Sequence, residues 1–347
     1  MRLVTPQGWY RRDGRSSVAA GLVLRPMSWI WAWATARRLT RGRPVDPGVP
    51  VICVGNLTLG GTGKTPVVRA IVAILRADGR DPHILSRGYG GRLAGPIRVD
   101  AAVHTAAEVG DEALMMAADA PVWIARDRGA GALAAAVAGA DVIVMDDGHQ
   151  NPSVAKALSL IVVDGETRDA EWPFGDGAVF PAGPMREPLE AGLGRADAVV
   201  LLLSADLEKP DAALLALFAG KPVLVGRLEP VAPVPPGPQL GFAGIGKPWK
   251  MERALRAAGC DLVDFAPLPD HGPIAETTLR FLADRAAALG AGLVTSEKDW
   301  MRLSPAWRAR VSAWPVRVRF EHPDTLSFLL SAAKIEGRAR GGTRSES

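Results

Sequence analysis

VICVGNLTLGGTGKTP, residues Val51 to Pro66, decides how the rest of the chain is read. Four apolar residues, Val51, Ile52, Cys53 and Val54, lead into Gly60, Gly61 and Gly63, then Lys64, Thr65 and helix-forming residues from Ala70 to Leu75. This predicts strand, loop and helix. The glycines let the loop fold back so that its amide groups converge, and the N-terminus of the next helix adds positive potential at that point. A phosphate chain fits such a cradle.

The spacing follows the P-loop pattern G-x-x-x-x-G-K-[ST] at Gly63, Lys64 and Thr65, with Thr58 where the first glycine would stand. Gly60, Gly61, Thr62 and Gly63 are expected to wrap the phosphates of ATP. Lys64 reaches the β- and γ-phosphates, and the Thr65 hydroxyl ligates Mg²⁺. Strand context before the loop and helix context after it argue against a plain solvated turn.

With 347 residues, 48% hydrophobic and 22% charged, the chain is globular and long enough for two cores. Cys53 and Cys260 lack metal-ligand spacing and read as two buried, reduced thiols of a cytosolic protein. The net charge of +4 is uneven: residues 1–45 hold nine arginines and one acid, Asp13, leaving the remaining 302 residues at −4. An anionic partner is therefore expected at the N-terminus, and no nucleic-acid partner is expected.

That segment also holds four of the ten tryptophans, Trp9, Trp29, Trp31 and Trp33, in an apolar run interrupted by Arg25-Pro26. A spanning helix needs about 20 uninterrupted apolar residues, so the run reads as a helix lying in the membrane interface. Its tryptophans sit at headgroup level and its arginines meet anionic lipid. The plainer alternative is an arm packed on the domain.

Downstream, PHILS (Pro82–Ser86) reads as a strand ending in SRGYGGR, which offers Arg87 as an anion ligand at a strand's carboxyl end or simply a turn. Val109-Gly110-Asp111-Glu112 begins a helix, where acids usually only cap. DVIVMDD (Asp141–Asp147) is a buried strand ending in Asp146 and Asp147, placed as Mg²⁺ ligands opposite the threonine. The long loop Asp164–Pro188 carries Arg186, a cation for phosphate, and Glu187, a carboxylate for metal, or else a surface ion pair. EPVAPVPPGP (Glu229–Pro238) is a stiff connector to a second alternation of strands and helices, including Val316–Phe320 and a helix from Thr325 to Ala333. His271, after Asp270 in a loop, is a candidate for proton handling.

Together these motifs resemble the tetraacyldisaccharide 4′-kinase family: GNLTLGGTGKTP at 55–66, SRGYGG at 86–91, VGDE at 109–112, DDGHQ at 146–150, PAGPMREP at 181–188, GIGKPW at 244–249, PDHG at 269–272 and TSEKDW at 295–300. The resemblance implies a kinase that uses ATP and Mg²⁺ to phosphorylate the 4′-hydroxyl of a lipid A disaccharide precursor at the inner leaflet of the inner membrane. It makes Asp111 the general base and His271 its assistant. His149 stands where the family's motif usually has phenylalanine, and TSEKD replaces the more usual TEKD.

The expected fold is α/β, a P-loop NTPase main domain with a smaller C-terminal α/β domain and an N-terminal membrane-interface helix. The expected divisions are 1–48, 49–228, the linker 229–238, 239–336 and a disordered tail 337–347. Two rivals stand beside this reading. A partitioning-type ATPase would carry a second lysine just before the glycine pair, where this chain has Leu59. A soluble small-molecule kinase or ligase would use the arm only for packing.

Overall fold

The computed structural model describes residues 7–11, 18–270 and 274–341. Nine strands form the larger sheet: β1 (Val51–Gly55), β2 (Pro82–Ser86), β3 (Ile97–Arg98), β4 (Val122–Ile124), β5 (Val142–Asp146), β6 (Leu158–Asp164), β7 (Ala198–Ser204), β8 (Val223–Pro230) and the late β13 (Val316–Phe320). The order is β13-β8-β7-β6-β1-β5-β2-β4-β3, parallel except for β13 against β8 and β3 against β4. β1 thus lies between β5 and β6, at the point where the strand order turns back, which is where open parallel sheets place their ligands.

The unbroken apolar run of β1 follows from burial on both faces. Ile52 and Val54 pack with Val67, Ile71 and Leu75 of the helix Lys64–Ala77, while Val51 and Cys53 pack with Ala132 and Ala135 of the helix Arg128–Val137. Period-two alternation divides the strand between two cores. On the far half of the second face, Ile161, Val163, Val199 and Leu201 meet Leu57, Phe174, Met185 and Phe218.

The smaller sheet holds β9 (Gln239–Ala243), β10 (Leu262–Pro267), β11 (Gly292–Thr295) and β12 (Val311–Ala313), all parallel in the order β10-β9-β11-β12. Leu240 and Phe242 face the helix Glu276–Ala288, and Ala243 and Val294 face the helix Pro248–Ala257.

The chain then returns to the first sheet. β13 pairs with β8, Val318 and Phe320 join the core of the larger sheet, and so do Leu326, Leu330 and Ala333 of the terminal helix Pro323–Gly341. Chain order alone groups these residues with the smaller unit, as in the expected division 239–336. The fold separates them because the proline-rich stretch begins inside β8, and β13 leaves the small sheet beside it, Val231 donating to the Pro315 carbonyl at 3.0 Å.

The N-terminal helix runs unbroken from Val18 to Arg41, with Pro26 inside it rather than at its end. Its burial is inverted for a helix packed on a protein. Ser28 is 4% exposed and Thr35 is buried, whereas Trp29 is 72% and Ile30 66% exposed, with Val23, Met27 and Trp33 also outward. Among the described residues no helix is long and apolar enough to cross a membrane.

Candidate active site

Gly63, at the N-cap of the helix Lys64–Ala77, has φ +84°, and a Cβ there would come within 2.5 Å of Leu202 Cδ1. Only glycine can close the loop at this point. Asn56, fully buried, braces it by donating to the Thr58 carbonyl at 2.9 Å and to Thr62 Oγ1 at 3.2 Å. The long loop braces it from outside: Leu59 N donates to Pro184 O and Arg186 N to Leu57 O, both at 2.8 Å, and Thr58 bridges Met185. The loop containing PAGPMREP is therefore one wall of the phosphate cradle, and this explains its irregularity.

The acids at the end of β5 divide their contacts. Asp147, in the left-handed region at φ 51°, accepts from Arg186 Nη1 at 2.7 Å and lies 3.7 Å from Lys64 Nζ. Burial raises its pKa, but Lys64 and Arg186 outweigh burial and hold the carboxyl well below the usual range. Asp146 is 3% exposed, and its Oδ1 has no hydrogen-bond partner. Burial, with the field of Glu112 next, pushes its pKa up to about 7 despite Lys64. A buried carboxylate oxygen without a partner, one strand over from β1 and the helix Lys64–Ala77 that carries Thr65 in its first turn, fits a hard divalent cation. Among the described residues no cluster of three or more His, Cys, Asp or Glu could hold a metal. A Mg²⁺ carried mainly by phosphate oxygens and water needs only one or two protein oxygens.

Glu187, expected as a metal ligand, has its carboxylate engaged by side chains. Its buried carboxylate accepts from Arg195 Nη2 at 2.6 Å on both oxygens and from Gln150 Nε2 at 2.9 Å, and Gln150 also donates to Asn56 O at 2.8 Å. These bonds tie Glu187 to the wall, and they make it the weaker candidate beside Asp146, whose Oδ1 has no partner. Glu187→Gln is expected to lose about 1.5–3 kcal/mol of stability, the worth of hydrogen bonds to a charged group. The readout is the denaturant midpoint, with the Mg²⁺ dependence of activity unchanged. A shifted Mg²⁺ dependence would return Glu187 to the metal.

Asp111 is buried at the start of the helix Asp111–Met116, where its Oδ1 accepts from Glu112 N at 2.9 Å. Glycines of the SRGYGG and VGDE stretches make this possible: a Cβ on Gly91 would lie 2.6 Å from Glu108 O, and one on Gly110 2.5 Å from Tyr89 O. The smaller unit supplies cations to this corner. Arg302 Nε lies 3.9 Å from Asp111 Oδ2, and Lys298 Nζ lies 3.2 Å from Glu112 and 3.3 Å from Asp270. Asp299, fully buried, anchors them by accepting from Gly244 N at 3.0 Å and from Arg302. His271 lies outside the described residues. Arg87 is exposed just past β2.

Contacts between the units are dense around the cradle. Gly246 stacks on Gly61 so closely that a Cβ on it would be 3.0 Å from Gly61 N. Lys247 reaches Asp164 at 2.9 Å and Glu171, Lys250 also binds Asp164, and Arg69 joins Asp119 at 2.7 Å to Glu297. Burial opposes the charge on Asp164, but Lys250 and Lys247 hold its pKa well below the normal range.

Sequence reasoning missed Lys298, Arg302, Asn56, Gln150 and Arg128. Arg128 is 3% exposed behind β5, donating to Asp146 O at 3.2 Å while its Nη1 has no partner, and burial lowers its pKa to about 10. Its position just after β4, at the carboxyl edge of a parallel sheet, was the available signal.

His149 points away from this chemistry. Its Nδ1 pairs with Ser159 Oγ at 3.0 Å and its Nε2 with Gly192 O at 2.9 Å, and burial, then Arg195, lowers its pKa to about 4. A histidine neutral in the fold but able to charge when unfolded costs stability in acid. Its contribution is complete above about pH 6.5 and is lost as pH falls toward about 4, up to about 3 kcal/mol. His149→Phe is expected to flatten the stability profile across that window, measured by denaturation at several pH values. An unchanged slope would mean that His149 is not the responsible group.

The family model described as LpxK, tetraacyldisaccharide-1-P 4′-kinase, matches residues 20–334. The chain is 64% identical over 330 residues to the tetraacyldisaccharide 4′-kinase of Caulobacter vibrioides, covering 95% of this chain and 98% of that one. It is 66% identical over 330 residues to that of Phenylobacterium zucineum, covering 95% and 99%. The fold matches a crystal structure of LpxK from Aquifex aeolicus in complex with ATP, with TM-score 0.71 and 26% identity over 90% of this chain and 99% of that one. The chain belongs to the tetraacyldisaccharide 4′-kinase family.

Proposed function

We propose that this protein transfers the γ-phosphoryl group of ATP to the 4′-hydroxyl of a tetraacylated glucosamine disaccharide 1-phosphate, a step of lipid A biosynthesis. The observation that carries the reading is the convergence of Lys64, Asp147 and Arg186 on the glycine cradle, with Asp146 beside them keeping one buried oxygen without a partner.

Phosphoryl transfer asks the protein mainly for positioning and charge neutralisation. The amides of Gly60 to Gly63 and the ammonium of Lys64 hold the phosphates. Thr65 and Asp146 would hold Mg²⁺, which screens charge between the β- and γ-phosphates when bound. Asp147 orients Lys64 and Arg186 rather than serving as the principal metal ligand. We assign Arg186 to offset charge on the transferred group and the exposed Arg87 to the nucleotide.

Asp111 accepts the proton of the sugar hydroxyl as its oxygen bonds to the γ-phosphorus and the bond to the ADP oxygen breaks. Arg302 faces Asp111 from across the cleft at 3.9 Å, and His271 assists in relaying the proton. The smaller unit, closed on Gly61 through Gly246, excludes water that would otherwise take the phosphoryl group.

The inverted burial of the N-terminal helix supports seating on an anionic membrane surface, with Trp29, Ile30 and Trp33 in the interface. We place the protein peripherally on the cytoplasmic face of the inner membrane. Flotation with anionic liposomes should be lost on deletion of residues 1–45; retained flotation would remove the helix from that role. ADP release measured with and without the disaccharide 1-phosphate tests the reaction. Release that depends on the lipid acceptor supports transfer, and equal release without it supports a stand-alone ATPase.

A further inference from the structure

The peptide joining Leu59 to Gly60 opens the phosphate cradle, and it is held from outside. The Leu59 amide donates to Pro184 O at 2.8 Å, and the Leu59 carbonyl accepts from the hydroxyl of Tyr10. A trans peptide points its C=O and its N–H to opposite sides. Fixing the Leu59 carbonyl toward Tyr10 therefore aims the Gly60 N–H away from Tyr10. Gly60 has φ +85°, is exposed and is followed by Gly61, so the backbone here is free to turn this peptide over without steric cost. Its orientation has to come from a contact outside the loop.

Tyr10 is itself anchored independently of the cradle. Trp172 N donates to Tyr10 O at 2.6 Å, Arg11 bridges Glu171, and Gly175 packs on Trp9 so closely that a Cβ there would lie 1.9 Å from Trp9 O. Trp9 meets Phe180 edge-on, with ring centres 6.3 Å apart. From the smaller unit, Lys247 Nζ stands 5.5 Å from the centre of the Tyr10 ring while bonding Asp164 at 2.9 Å. Burial pushes the phenol up to about 12 despite Lys247 and Arg186, so the hydroxyl keeps the proton that it donates.

We propose that Tyr10 is a positioning residue for ATP: its hydroxyl locks the Leu59–Gly60 peptide so that the Gly60 N–H is presented to the phosphate chain. Glycine cradles bind anions through converging N–H groups, and a peptide turned over would set a carbonyl oxygen against the phosphate oxygens instead. A loop held in the receptive orientation spares the ligand the entropy of ordering it. The phosphates should feel this lock, and the base and ribose should not. The inference rests on ATP binding at the cradle and not on the acceptor proposed above, so the test leaves the acceptor out.

Titrating ATP with Mg²⁺, and separately adenosine, onto the full chain compares the wild type with Tyr10→Phe and Tyr10→Ala. Tyr10→Phe keeps the ring beside Lys247 and removes only the hydroxyl. Its Kd for ATP should rise about two- to tenfold, the worth of one hydrogen bond, while its Kd for adenosine stays put. Tyr10→Ala should raise the Kd for ATP at least as much. An unchanged Kd for ATP in Tyr10→Phe, or an equal rise for adenosine, overturns the lock. A rise confined to Tyr10→Ala overturns it too, assigning Tyr10 to packing alone. The wild-type chain supplies a check that does not depend on the folding of either variant. Labelling with carbonyl-¹³C leucine and ¹⁵N glycine isolates the amides of Leu–Gly peptides, and the Gly60 signal is identified by its loss in Leu59→Met. That signal should move on addition of ATP and stay in place with adenosine; a Gly60 amide indifferent to ATP overturns the proposal.

Discussion

Asparagine in place of Asp111 is expected to lower kcat by about 10²- to 10⁴-fold, the usual worth of a general base, with KM for ATP and for the lipid changed only slightly. The substitution keeps shape. An asparagine oxygen can still accept from Glu112 N, so the start of the helix Asp111–Met116 persists. What disappears is the carboxylate charge that faces Arg302 across the cleft and the basicity that would receive the hydroxyl proton. A split of this kind, turnover lost and affinity kept, separates a group acting in the transition state from one that only binds. Arg302→Lys, which keeps charge but loses the fork that also holds Gly244 O, should fall between the two. Near-normal turnover in the asparagine variant would remove Asp111 from the chemistry.

Lys64→Ala is expected to cost about 10²- to 10³-fold in kcat, the scale for removing one preorganised donor from a developing charge, and to weaken ATP binding as well. Lys64 is mostly buried at the start of its helix, 3.7 Å from Asp147, and no other lysine in the described residues is placed to replace it. Arg186 keeps Asp147 charged and paired at 2.7 Å, so the loop should hold its shape without the lysine. The loss is therefore expected in the kinetics rather than in the unfolding midpoint. Lys64→Arg should not rescue, because a planar fork does not fit where a point charge must enter the glycine cradle. A variant that unfolds early, or one with full activity, would contradict this account of the site.

Of these two residues Lys64 is legible in the sequence for a physical reason, whereas Asp111 reads there as an acid capping a helix and is singled out only by the family resemblance. A phosphate cradle must be local: strand, glycine turn and helix N-terminus occupy consecutive residues, so Lys64 and Thr65 declare themselves by spacing alone. The larger sheet was equally legible because buried parallel strands such as β1 and β6 are continuous apolar runs between glycines and helices. The glycine loops at 88–91 and 110 were visible only as turns. Their purpose, a backbone approach too close for any Cβ, depends on a contact some 20 residues away in the chain.

What pairs across the fold could not be read that way. Glu187 beside Arg186 suggested a metal ligand because the chain order hides Arg195, which folds back to take both its oxygens. Arg302 and Lys298 reach Asp111 and Glu112 from the other unit, nearly two hundred residues on, and no local pattern announces such a meeting. The same holds for β13, whose alternating Val316–Phe320 is a strand by any reading but whose partner is set by the β8 edge. Outward tryptophans on the N-terminal helix accord with its reading as an interface helix, but the inward turn of Ser28 and Thr35 could not be read, since that depends on what lies beneath the helix.

The most direct measurement is phosphorus NMR of the lipid product after incubation with ATP, Mg²⁺ and the disaccharide 1-phosphate, with ADP counted in parallel. The site described predicts one new phosphomonoester coupled to the proton at the 4′ carbon for each ADP formed. Inorganic phosphate with unmodified lipid, or a phosphate on any other oxygen, would contradict it.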